Sequence, residues 1–81
     1  MNRKDIQGEL DWMVREMKEW SARLAPASPA LSDLFRQEGE YLEARKPRDF
    51  DTWGISTRAG KVKGMIAAAS VLLDEWTRNR G

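Results

Sequence analysis

Apolar residues in the first third of the chain recur at alternating intervals of four and three positions. They are Ile6, Leu10, Met13, Met17, Trp20 and Leu24. Because an α-helix turns once every ~3.6 residues, this spacing places all of them along one face of a helix. No alternation of apolar and polar residues competes with it. The pattern therefore predicts a helix over residues 3–24, which Pro26 ends.

A second apolar pattern follows the break at residues 25–29. Ser28 suits the N-cap of a helix and Pro29 its first residue, since the amide hydrogen that proline lacks would be unpaired there. Pro47 disfavours helical geometry at Lys46. The sequence therefore predicts a shorter helix over residues 29–45. Its apolar positions are Leu31, Leu34, Phe35, Tyr41 and Leu42.

Residues 47–55 mix proline, glycine, aspartate and large apolar side chains with no helical period. We expect an ordered loop there, whose aromatic residues fold back onto the helices. Ser56 or Thr57 then serves as the N-cap of a third helix, predicted over residues 57–78. Its apolar positions are Ala59, Val62, Ile66, Ala69, Leu73 and Trp76, with Met65 and Leu72 widening the apolar face.

Together the three segments predict a single all-α domain over residues 1–81, in which two long helices flank a shorter one. Two architectures use the same apolar faces: a three-helix bundle, or a helical hairpin that completes its core by dimerisation. A chain of 81 residues buries a small core, and the apolar face of the first helix is narrow, as in coiled coils. These two features favour a homodimer.

The composition excludes several common types of catalytic site. The chain has no cysteine and no histidine, which excludes disulfides, zinc–thiolate sites and nucleophiles activated by histidine. Asp49 and Asp51 lack the further oxygen ligands of a calcium loop. We therefore expect no metal, no cofactor and no enzymatic activity. Without a long apolar run or a signal-peptide pattern, we expect a cytoplasmic protein with no membrane partner.

The net charge of +1 is unevenly distributed. Residues 1–44 carry six basic and nine acidic side chains, whereas residues 45–81 carry eight basic and four acidic ones. A basic cluster falls between residues 45 and 63. Its members are Arg45, Lys46, Arg48, Arg58, Lys61 and Lys63. Such a cluster can bind nucleic acid or a phosphorylated small ligand, although Asp49 and Asp51 dilute its field.

The stretch Thr57–Met65 contains Gly60 and Gly64, and Ala68 follows at the same interval. One interpretation is an anion site at a helix N-terminus, where backbone N–H groups are free. The other is a thin helix face against which Trp53 or the first helix packs. The spacing of a P-loop is absent, so the packing interpretation is favoured.

Large side chains in polar surroundings are candidate interface anchors. Trp12 lies off the apolar face of its helix, near Glu9 and Glu16, and could either contact a partner or cover the 47–55 loop of its own chain. Phe50 and Trp53 pose the same choice, and packing within the chain is favoured for them.

Glu38 interrupts the apolar face of the second helix. A buried carboxylate needs a partner, which Arg45 or a basic residue of the third helix could supply. A position at the rim, pointing to solvent, is favoured because glutamate is seldom fully buried.

These observations favour a small non-enzymatic protein that binds another protein, as an adaptor, regulator or inhibitor, and that self-associates. The candidate partner-binding residues are Trp12, Glu9, Glu16, Phe50 and Trp53. The alternative is a binder of nucleic acid or of a phosphorylated ligand through the basic cluster at residues 45–63.

Overall fold

A computed structural model describes residues 2–80. Over that range the chain forms three α-helices, one short 3₁₀-helix and no β-strand, which confirms the predicted all-α fold. Helix α1 spans Arg3–Leu24, α2 spans Pro29–Glu43 and α3 spans Thr52–Arg80, with the 3₁₀-helix at Pro47–Asp49 between α2 and α3. The predicted bounds of the first helix are confirmed, and the second helix ends slightly before its predicted end.

The apolar face of α1 forms the centre of the core. All six of its periodic apolar residues are buried, and Met13, Met17 and Leu24 have no exposed surface. At the start of α1, the Asn2 side chain accepts a hydrogen bond of 2.9 Å from the backbone N–H of Asp5. This N-cap satisfies one of the amides that a helix leaves unpaired at its first turn.

Helix α2 runs back along α1 at short range because the residues between them are small. The Ser21 hydroxyl donates to the Ser32 carbonyl at 2.8 Å, and the Ser32 hydroxyl donates to the Ser21 carbonyl at 2.7 Å. Both serines are buried. Further along, a Cβ atom added at Gly39 would lie 3.2 Å from the Cβ atom of Met17. The two helices are therefore pinned together by reciprocal hydrogen bonds and by a close backbone approach.

Helix α3 begins at Thr52 rather than at residue 57, so the expectation of a loop over residues 47–55 was wrong in its second half. The cause is Asp51. Its Oδ1 atom accepts a hydrogen bond of 2.6 Å from the Gly54 N–H, and its carbonyl oxygen accepts one of 3.0 Å from the Ile55 N–H. These are the bonds of an N-cap, so Asp51 replaces the predicted caps at positions 56 and 57.

Helix α1 lies between the other two helices. It approaches both of them closely, whereas no Cα atom of α2 lies within 8 Å of a Cα atom of α3. With 29 residues α3 is ~43 Å long, close to the 47 Å longest dimension of the molecule, while the 22 residues of α1 reach only ~33 Å. None of residues 70–80 is buried. The side of the molecule between α2 and α3 is therefore open.

Candidate protein-binding groove

The open side between α2 and α3 forms an apolar groove of about 510 Å³, here called the α2–α3 groove. The residues that line it are Leu31, Leu34, Phe35, Gln37, Glu38, Tyr41, Arg58, Lys61, Met65, Ala68 and Ala69. Phe35 and Ala69 are buried, whereas Leu34 on the α2 side is 56% exposed. A concave surface with this lining can accept apolar side chains from another molecule.

Glu38, on α2, forms ion pairs with two residues of α3 at one end of the groove. Its Oε1 accepts a hydrogen bond of 3.0 Å from Arg58 Nη1, and its Oε2 accepts one of 3.1 Å from Lys61 Nζ. The Glu38 side chain is only 11% exposed, so the favoured expectation of a solvent-facing rim position was wrong. A carboxylate withdrawn from water needs partners of this kind. The ion pairs also bridge α2 and α3 where their backbones stand apart.

Two guanidinium groups stack on Tyr41 at the same end of the groove. The Cζ atom of Arg45 lies 4.6 Å from the centre of the Tyr41 ring, and that of Arg58 lies 4.5 Å from it. Both distances are within the range of cation–π attraction. Three cations, counting Lys61, and the single carboxylate of Glu38 thus converge here, which makes this end of the groove positive.

The basic cluster predicted at residues 45–63 is divided by the structure. Arg45, Arg58 and Lys61 gather around Tyr41 and Glu38, as described above. Lys63 lies on another side of α3, with its Nζ 5.9 Å from the centre of the Trp12 ring. Lys46 and Arg48 are exposed around the 3₁₀-helix. The structure therefore brings three of the six basic residues together around one pair of side chains.

Both interpretations of Gly60 and Gly64 are contradicted. Because α3 begins at Thr52, the two glycines lie inside the helix, where backbone N–H groups are already hydrogen-bonded and cannot receive an anion. No atom of a neighbouring element lies within 4 Å of the place where a Cβ atom would stand at either glycine. Neither Trp53 nor α1 packs against them, and they leave a thin, exposed strip on α3.

Trp12 packs within the chain. Its ring is half-buried against the core, and its Nε1 donates a hydrogen bond of 2.7 Å to Glu9 Oε2. Lys63 approaches the same ring from α3. Glu16 lies half-exposed on the same helix. This geometry favours the intramolecular alternative for Trp12 over a role as an interface anchor.

The two aromatic residues of the 47–55 segment behave differently. Phe50 is half-buried and packs against the core, as expected. Trp53 lies in the first turn of α3 and is 77% exposed, so the expectation that it packs within the chain was wrong. Trp53 therefore remains a candidate contact residue, outside the α2–α3 groove.

The C-terminal half of α3 presents apolar side chains to solvent next to the groove. Val71 is 62% exposed and Leu72 37% exposed. Trp76, the last apolar position of the predicted third helix, is only half-buried, and the Arg80 guanidinium stacks 4.6 Å from its ring centre. This part of α3 has apolar side chains on several faces, and α1 and α2 do not cover all of them.

Sequence reasoning identified the apolar residues of the groove but not the groove itself. Leu34 and Met65 were marked as apolar positions of their helices, with no indication that they would face each other across a gap. The residues it missed are the small ones, Ser21, Ser32 and Gly39. They draw α2 onto α1, and this leaves α2 apart from α3.

Comparison with protein-family models, with curated proteins and with solved structures finds no match to this chain. Among the described residues, no three acidic side chains converge as a set of metal ligands. Within residues 2–80, none of the helices combines the length and the apolar character needed to cross a membrane. The function is therefore inferred from the α2–α3 groove and from the exposed face of α3 beside it.

Proposed function

We propose that the protein is a non-enzymatic binding module that receives an apolar helical segment of a protein in the α2–α3 groove. The observation that carries this proposal is the uncovered apolar lining between Leu34 on α2 and Met65 on α3. In a small domain, apolar surface left open to water is typical of an interaction site. Helices are common occupants of such grooves, since one apolar face fills the groove while the opposite face stays in water.

The charges of the groove specify the chemistry of the bound segment. Its middle is apolar, and its Tyr41 end is positive because two arginines and Lys61 outnumber Glu38. Lys61 is half-exposed even while it contacts Glu38. A segment that combines apolar side chains with one acidic residue, placed to reach Lys61, would complement both features.

The alternative, binding of nucleic acid or of a phosphorylated ligand, has less support. Only three of the six basic residues at 45–63 gather at the groove, and two of them share Glu38. The positive charge is therefore confined to one end of the groove and is not spread along a surface, as binding to a phosphate backbone requires. Salt separates the two functions. Binding to nucleic acid weakens steeply as salt rises, whereas an apolar contact changes little.

The variant Leu34→Glu tests the proposed function. Wild type and variant are immobilised and exposed to lysate of the native cell, and the retained proteins are quantified by mass spectrometry. Because Leu34 is exposed, the change leaves the core intact, and we expect retention of the specific partner to fall ~10-fold or more as a charge is placed in an apolar contact.

Trp53→Ala is the matched control, since it removes an exposed apolar side chain outside the groove. It should retain the partner as wild type does. Equal retention by wild type and Leu34→Glu, or loss with Trp53→Ala alone, would show that the α2–α3 groove is not the binding surface.

A further inference from the structure

We infer that a second copy of the chain occupies this surface, through antiparallel pairing of two α3 helices about a twofold axis at Ala68. The inference rests on the proposed function, because it names the occupant of the α2–α3 groove and its rim. The occupant called for is an apolar helix that carries an acidic residue. The C-terminal half of α3, with Leu72 and Trp76 beside Glu75, is such a helix.

The first argument is the amount of apolar surface that α3 leaves uncovered. Val71 and Leu72 are exposed on faces that α1 does not reach, although Leu73 on the remaining face packs against the core. A helix that is apolar around most of its circumference is normally buried on more than one side. A second helix alongside α3 would supply the missing contact.

The second argument is the match of shapes that the twofold axis creates. Residues equally far from Ala68 on its two sides come to the same level across the interface. Val71 of one copy thus reaches the level of Met65 of the other, and Leu72 reaches the level of Gly64. Gly64 has open space where a side chain would stand, so Leu72 of the other copy can fill it. At the axis itself, Ala68 faces its own copy, and its small side chain permits a close approach.

The third argument is charge. Lys61 and Glu75 are equally far from Ala68, so each Lys61 lies opposite the Glu75 of the other copy. Glu75 is exposed and belongs to none of the ion pairs formed within residues 2–80. The twofold axis produces this pair twice. Exposed pairs add little affinity, but they fix the register and the antiparallel direction.

The size of the contact sets its strength. Pairing from residue 57 to residue 79 gives an interface ~33 Å long and one helix wide, at the lower end of what specific interfaces bury, ~1,200 Å² in total. The dimer is therefore expected to dissociate on dilution rather than to be permanent. Solution mass should rise with concentration from 9.3 kDa for one chain toward twice that mass.

Charge reversal tests the register. Sedimentation equilibrium is measured for wild type, Lys61→Glu, Glu75→Lys and the double variant. Each single reversal places like charges opposite each other twice, so the dissociation constant should rise ~10-fold. The double variant restores both intermolecular pairs but not the bond that Lys61 donates to Glu38 in its own chain, so it should recover part of that loss and dimerise better than either single variant. Lys63→Glu makes the same charge change on another side of α3 and should dimerise as wild type does. Leu72→Glu, at an exposed apolar position of the interface, should yield monomer only.

The outcomes separate this inference from the proposed function. A wild type that stays monomeric at all concentrations, or a double variant no better than the single ones, overturns pairing about Ala68. If the capture that depends on Leu34 persists in that case, the proposed function stands with a different occupant. If the chain dimerises as expected but nothing captured depends on Leu34, a partner protein in the groove is excluded and the self-pairing stands.

Discussion

Gly39 and Gly60 show how much a residue's neighbours decide its effect. Both are glycines inside helices, where alanine is intrinsically favoured by ~0.5–1 kcal/mol. We expect Gly60→Ala to raise the free energy of unfolding by about that amount, because open space surrounds the new methyl group. Gly39→Ala should instead lower it by ~1–2 kcal/mol, because the new Cβ would press on Met17 Cβ, which is fixed to the α1 backbone.

Urea unfolding of the two variants beside wild type measures the difference. Both variants replace a helical glycine by alanine, so the gain in helix propensity is the same in each. The difference between their free energies of unfolding therefore reports how closely α1 and α2 approach at Gly39. If Gly39→Ala stabilised the protein as much as Gly60→Ala, the close approach of these two helices would be disproved.

The burial of a single side chain could be predicted where it follows from the helical period of its own segment. It could not be predicted where it depends on a contact with another helix. The six apolar positions of α1 are all buried, as their spacing indicates. Glu38 was expected at the rim because glutamate is seldom fully buried. Arg58 and Lys61, on another helix, supply the partners that keep its carboxylate out of water. Trp53 was expected to pack on the helices and is exposed instead. Whether another helix lies close enough to cover a side chain cannot be read from its own segment.

At the scale of the element, the start of α3 depends on one cap. Asp51→Ala removes the oxygen that accepts the Gly54 N–H, and we expect a loss of ~1 kcal/mol in the free energy of unfolding. Asp51→Asn keeps an acceptor of similar geometry and should stay close to wild type. Chemical denaturation gives the energies, and backbone NMR shifts of residues 52–55 show whether the first turn frays. A loss with Asn as large as with Ala would mean that the carboxylate charge, and not the cap, stabilises the turn.

The start of α3 was predicted five residues too late because local preferences in residues 53–57 favour a later start. Trp53 and Gly54 are poor helix formers, and Ser56 and Thr57 are good caps, so propensity pointed to a later start. Ile55 has no exposed surface, and Phe50 packs against the core. Tertiary packing of these two side chains, together with the Asp51 cap, outweighs local preference.

At the scale of the molecule, the groove follows from unequal distances between helices. The small residues Ser21, Ser32 and Gly39 bring α2 against α1, and α3 then contacts α1 while its backbone remains clear of α2. Helix count and order could be read from the sequence because they depend on periodicity. The spacing of the three helices could not, since it depends on which small residues meet.

The same geometry predicts a gradient of stability along α3. Residues 55–69 include the buried positions Ile55, Ala59, Val62 and Ala69, whereas no residue from 70 to 80 is buried. In dilute solution, amide hydrogens of residues 70–80 should therefore exchange by local fraying, many-fold faster than those of residues 55–69.

Raising the protein concentration should slow exchange around residues 64–75, because the second α3 covers them, and should leave the 3₁₀-helix unaffected. Hydrogen exchange followed by NMR measures both effects, with Leu72→Glu as the variant that should show the gradient but no response to concentration. Uniform protection along α3 in dilute solution would contradict the account of its uncovered end, and a concentration response in Leu72→Glu would place self-association on another surface.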